Sequence, residues 1–72
     1  MTIQTIECVK DYPMVGCVVK KGTILIENLN ATKEAFDSTV FSSKDRNDFY
    51  FNNSEIIFSE QFHESFKVIS IN

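Results

Sequence analysis

The chain has no tryptophan, one proline, one histidine, two glycines and two cysteines in 72 residues. Each shortage removes a class of chemistry. Without a Gly-rich run there is no backbone loop to cradle a phosphate, which excludes the common nucleotide-binding motifs. Two sulfurs and one imidazole do not complete a four-ligand zinc site, and no Cys-x-x-Cys spacing occurs. Nucleophilic catalysis needs an activating base, and the only Cys–His combination, Cys8 or Cys17 with His63, carries no local signature. The acidic pairs Asp45–Asp48 and Glu60–Glu64 would need a pocket that shifts one pKa, and so small a domain rarely has room for one. The expectation is a protein with no enzymatic activity, cofactor or metal.

Long apolar runs are missing too. No segment approaches the roughly 20 residues of a membrane span. The opening "MTIQTIECVKDYP" has neither the basic start nor the continuous apolar stretch of a signal peptide. The cytoplasm is the expected location. There, Cys8 and Cys17 are expected as buried free thiols. Were residues 10–15 a loop joining two antiparallel strands, the two would instead lie side by side at disulfide distance.

A surplus of positive charge is also lacking. The net charge is −3, and all of the excess falls in the second half. Through Phe36 cations and anions balance; from Asp37 onward Lys44, Arg46 and Lys67 face Asp37, Asp45, Asp48, Glu55, Glu60 and Glu64. Phosphate neutralisation supplies most non-specific nucleic-acid affinity, so this half would repel such a partner. An acidic face serves solubility, or meets a basic protein.

What the chain does have is seven Phe and two Tyr. A domain of this length hides only about 60% of its unfolded surface, and buried aromatics of roughly 150–250 Å² each compensate. A single domain over residues 1–72 is expected. β-Branched residues read Thr2 to Lys10 as a first strand, broken at "DYP", where Pro13 cannot donate to a ladder. Cys17 to Lys20 and Thr23 to Glu27 read as strands joined at Lys20-Lys21-Gly22-Thr23, with Gly22 supplying a positive φ. Asn30 is a candidate cap for a short helix over Ala31 to Phe36, with an irregular loop as the alternative. "FDSTVFSS" returns to strand composition. "KDRND" reads as a turn served by Asp45 and Asn47. "FYFNNSEIIF" reads as a hairpin with Asn52-Asn53 or Asn53-Ser54 at its tip. Ser59 caps a helical turn to Ser65, followed by a last strand, Phe66 to Ile71. Phe58, Phe62 and Phe66 recur at helical spacing and are expected in the core.

About five to six short antiparallel strands with one or two helical turns describe a small, mainly β barrel. The stretch "KDYPMVGCVVKKGTILIEN", followed later by "EQFHESFKVI", resembles the small SH3-like β-barrel proteins of phages and mobile elements. In those a first strand enters a "D-[YF]-P" bend, a Gly-containing segment and a "K-G-T" turn, and an acidic "E-x-F-x-x-x-F" element closes the chain. The resemblance implies an SH3-like barrel, and functions from virion parts to inhibitors of host enzymes in a host cytoplasm. Recognition of proline-rich peptides is not implied, because the aromatic groove of those domains uses a Trp and a Tyr-rich loop that this chain lacks.

The surface therefore carries the functional expectation. "SKDRNDFYF" places Asp45, Arg46 and Asp48 on a turn beside Tyr50, and strand alternation sends Phe49 and Phe51 to one face and Tyr50 to the other. The plain alternative puts both Phe in the core with Tyr50 at its edge. Tyr12 and Met14, flanking Pro13, form the second candidate patch. The leading expectation is a protein-interaction module, a phage-type inhibitor or adaptor that occludes a partner of basic surface through Tyr12, Met14, Asp45, Arg46, Asp48 and Tyr50. A second is an oligomer of barrels binding a nucleotide-like small molecule, with Lys20, Lys21 or Arg46 meeting phosphates. A third is an SH3-like nucleic-acid module, which the charge disfavours. Exposed strand edges also allow a homodimer.

Overall fold

In a computed structural model, residues 3–72 are described; Thr2, which the expected first strand includes, lies outside them. The domain is mainly β. Seven strands, β1 (Gln4–Cys8), β2 (Tyr12–Met14), β3 (Cys17–Val19), β4 (Ile24–Glu27), β5 (Ser38–Ser43), β6 (Asp48–Asn52) and β7 (Phe66–Ile71), alternate with three short helices. These are α1 (Leu29–Glu34), α2 (Asn53–Phe58) and α3 (Glu60–Ser65). Five strands form one antiparallel sheet in the order β6-β5-β4-β1-β7, and β2-β3 form a separate pair. Neither sheet is closed: β6 and β7 are both edge strands.

β1 is an interior strand between β4 and β7, and its residues alternate. Ile6 and Cys8 turn into the core while Thr5 and Glu7 stay half-buried on the other face. It is flanked by β4, with Ile6 opposite Leu25, and by β7, with Cys8 opposite Phe66. Between β1 and β4 the chain makes an excursion. Tyr12 pairs with Val19 and Met14 with Cys17, giving a hairpin that turns at Gly16 (φ 82°). Its base is tied to the main sheet: the Gly22 amide donates to Cys8 O at 2.7 Å, and the Lys21 amide to Asp11 Oδ1 at 2.7 Å. Gly22 (φ 96°) sits where the chain re-enters β4, a left-handed position that would strain a side chain. The strand from Cys17 thus pairs with β2, and the one ending at Glu27 pairs with β1, so the two are not partners across the Lys-Lys-Gly-Thr turn.

The cysteines separate for the same reason. Cys8 is fully buried and its thiol donates to Lys10 O at 3.1 Å; Cys17, near the hairpin tip, is exposed. Both are free. The expected pair of buried thiols is half right, because β1 takes β4 rather than β3 as its neighbour.

The helix starts are set by side-chain caps. Asn28, not Asn30, caps α1 by accepting the Ala31 amide at 3.1 Å. Thr32 of α1 then accepts the amide of Val40, which is fully buried beneath the helix. The expected hairpin, at Asn52-Asn53 or at Asn53-Ser54, does not form. Asn52 accepts the Ser54 amide at 2.9 Å and opens α2, with Glu55 in its first turn. Its Asn-x-x-Glu spacing is a helix-start pattern that competes with the turn. Ser59 caps α3 and the last strand runs from Phe66 to Ile71, as the spacing predicts.

The core is aromatic. Phe51, fully buried, meets Phe41, Phe62 and Phe66 edge-on at 5.8, 5.3 and 5.5 Å between ring centroids. Tyr12 completes the cluster at 5.2 Å from Phe66 and 5.9 Å from Phe62. These are the edge-to-face geometries that aromatic quadrupoles favour. Of the helically spaced triplet only Phe62 and Phe66 are inside. Phe58 ends α2 and is 80% exposed, because the chain breaks at Ser59 and restarts a new helix instead of continuing the periodicity. Phe36 is fully exposed as well.

Candidate interaction cleft

The excursion between β1 and β4 leaves its mark on the surface. The β2-β3 hairpin stands beside the edge strand β6, and an open cleft of about 760 Å³ lies between them. Pro13, Met14 and Val15 form one wall; Asp48, Phe49 and Tyr50 form the other. Glu55, from the first turn of α2, and Asn52 close one end. Met14 and Phe49 also pack against the core, which fixes the cleft's inner side. Tyr50 lies opposite Val40 in the ladder, on the outer face, and is 57% exposed.

One side-chain bond spans the gap between hairpin and α2. The Tyr12 hydroxyl donates to the Glu55 carboxylate. Tyr12 is 4% exposed, so its phenol is pushed up to about 12, first by burial and then by the hydrogen bond and negative charge of Glu55. The pair anchors the hairpin at its base. The rest of the hairpin, with Val15 fully exposed at its turn, is free to present its apolar side chains.

The sequence-predicted residues divide accordingly. Met14, Asp48 and Tyr50 are brought together in the cleft. Tyr12 is corrected from contact to anchor: as the residue opposite Val19 at the hairpin base it points into the core. Asp45 and Arg46 sit outside the cleft, on the β5-β6 turn. That turn is held by Ser43, whose carbonyl accepts the Arg46 amide and whose hydroxyl accepts the Asn47 amide. Arg46 itself takes the left-handed conformation (φ 63°), a role expected of Asp or Asn. Sequence reasoning missed Glu55 and Val15. The Asn52–Glu55 cap spacing was the signal for the first; nothing local marks the second.

Lys20 and Lys21, the alternative phosphate ligands, are exposed where the chain enters β4, near the β5-β6 turn that bears Arg46. A hollow of about 220 Å³ lies there between Gly22–Ile24 and Ser43–Asp45, but none of Lys20, Lys21 and Arg46 lines it. Ligand pockets typically measure about 300–1,000 Å³. His63 is exposed, with Nε2 3.2 Å from the Ile57 carbonyl, and remote in the chain from both cysteines. Among the described residues, no three His, Cys, Asp or Glu side chains gather to hold a metal, and no helix is long and apolar enough to cross a membrane.

Comparison with known proteins finds no matching family model, no matching curated protein and no matching solved structure.

Proposed function

We propose that the protein is a non-enzymatic interaction module that binds another protein through the cleft between β6 and the β2-β3 hairpin. The observation that carries this reading is the composition of the cleft. Apolar side chains (Met14, Phe49) line a preformed hollow, an exposed Tyr stands at its rim, and both charged residues in it, Asp48 and Glu55, are acidic. Tyr is enriched among binding hot spots, and the acidic residues beside it favour a basic partner. Occlusion of a partner's surface, as by a phage-type inhibitor or adaptor in a host cytoplasm, fits such a module.

An SH3-like barrel is the fold we infer behind it. Supporting this, Asp11-Tyr12-Pro13 leads into β2, Lys21-Gly22-Thr23 returns the chain to β4, and Phe62 and Phe66 carry α3 into β7. The last strand returns to the first, which is how a short meander curls toward closure.

The test uses Tyr50→Ala, which removes an exposed ring without opening the core. Proteins recovered from native cells on immobilised wild type, Tyr50→Ala and Phe36→Ala are quantified. Loss of a hot-spot ring is expected to weaken a specific partner by about tenfold or more, and Phe36→Ala to leave it unchanged. Identical recoveries on all three proteins would overturn the reading.

A further inference from the structure

The interaction reading does not say how a partner lies in the cleft; the backbone of β6 does. In the β5-β6 ladder the Ser43 amide donates to Asn47 O and the Asn53 amide to Asp37 O. Antiparallel pairing alternates, so Phe49 and Phe51 also direct their N–H and C=O groups toward β5. The N–H and C=O groups of Asp48 and Tyr50 and the N–H of Asn52 therefore point the other way, off the sheet. The Asn52 carbonyl, at the cap of α2, takes the first bond of that helix instead. β6 pairs with β5 alone, and among the described residues the outward groups meet no other backbone partner. Asp48, Tyr50 and Asn52 are themselves among the residues that line the cleft.

We propose, building on the interaction reading, that β6 accepts an extended, basic segment of a partner protein as an added strand. Main-chain bonds to Asp48, Tyr50 and the Asn52 amide supply the register, and the five residues of β6 span about 17 Å, matching a segment of similar length. Side chains of an added strand alternate. Those on the core side meet Met14 and Phe49 and are apolar. Those on the outer side meet Asp48 and Tyr50 and are Lys or Arg, which pair with the carboxylate and lie against the ring.

Charge selects this occupant over a second copy of the chain. No Lys, Arg or His lines the cleft. Two copies joined along β6 would bring together two acidic clefts on molecules that each carry −3. The other free edge, β7, has an irregular register with β1 between Thr5 and Ile6, and none of its residues lines this cleft.

The test needs no natural partner. Isotope-labelled protein is titrated with an octapeptide alternating Lys and Val, with its Glu-for-Lys counterpart, and with the Lys peptide N-methylated on the amides of one edge. Saturation with the Lys peptide is expected to slow hydrogen exchange at Asp48, Tyr50 and Asn52 by about tenfold or more and to leave Phe49 and Phe51 nearly unchanged. The Glu peptide is expected to bind at least about tenfold more weakly, and methylation of the pairing edge to abolish protection. Shifts at Met14 and Tyr50 without protection of the three amides would overturn strand addition while leaving the interaction reading intact. Equal binding by the Glu peptide, or no binding of the Lys peptide at millimolar concentration, would overturn the proposal. Concentration-dependent protection of the same amides without peptide would assign the edge to a second copy instead.

Discussion

Replacing Tyr12 with Phe tests the anchor of the cleft in isolation. The ring keeps its packing against Phe62 and Phe66, and only the hydroxyl that donates to Glu55 is lost. Hydrogen bonds to charged groups contribute about 1.5–3 kcal/mol, and because Glu55 is only half-buried, water can replace the donor in part. The expected loss is at the lower end, about 1.5 kcal/mol at pH 7. Alkaline pH adds a second signature. The folded-state pKa of Tyr12 is raised to about 12 from an ordinary value of about 10, so the native state holds the proton more tightly than the unfolded chain. This stabilisation is complete below about pH 10 and fades as the pH rises through 12, by at most about 3 kcal/mol at about 1.4 kcal/mol per pKa unit. The second figure exceeds the first because it includes the penalty of charging a buried phenol beside a carboxylate. Urea unfolding of wild type and Tyr12→Phe at half-unit steps from pH 7 to 12 measures both, since every other titrating group is common to the two proteins. The gap between them should narrow, then reverse, above pH 10. Parallel curves from pH 9 to 12, or a difference below about 0.5 kcal/mol at pH 7, would refute the anchor.

Four other outcomes follow from the same geometry. Phe51→Ala empties the centre of the aromatic cluster and should lose about 3–5 kcal/mol, enough to unfold much of a domain this small, by circular dichroism and urea melts. Ser65 is 1% exposed and its hydroxyl has no hydrogen-bond partner among the described residues, so Ser65→Ala should stabilise by about 1 kcal/mol rather than weaken the fold. Arg46→Asn places a residue tolerant of left-handed backbone at φ 63° and should raise stability by up to about 1 kcal/mol. In alkylation time courses read by mass spectrometry, Cys17 should react at once. Cys8, buried and with its thiol pKa pushed up chiefly by that burial, should react only on unfolding.

Local signals proved sufficient wherever one residue type had one structural use. Gly22 took the positive φ its turn required, Ser59 capped α3, and β-branched runs became strands. They failed where two uses competed. Asn52 suits a hairpin tip and a helix cap equally, and the capping spacing to Glu55 won. Phe58 shares helical periodicity with Phe62, but the break at Ser59 cancels it. Of the candidate site, Met14, Asp48 and Tyr50 were readable as surface residues beside apolar ones. That they face one another was not, because it follows from β1 choosing β4 and β7 as neighbours and leaving β2-β3 as a separate pair. No propensity in Tyr12 distinguishes a contact from an anchor; its long-range partner Glu55 does.

The most direct measurement of the interface is site-specific photo-crosslinking in native cells, with a benzophenone side chain at position 50 in one protein and at position 36 in another. Both sites are exposed, but only Tyr50 lies in the cleft. The account predicts discrete protein adducts from position 50, mapping to basic, extended segments, and none from position 36. Adducts from both positions alike, or from position 36 alone, would contradict it.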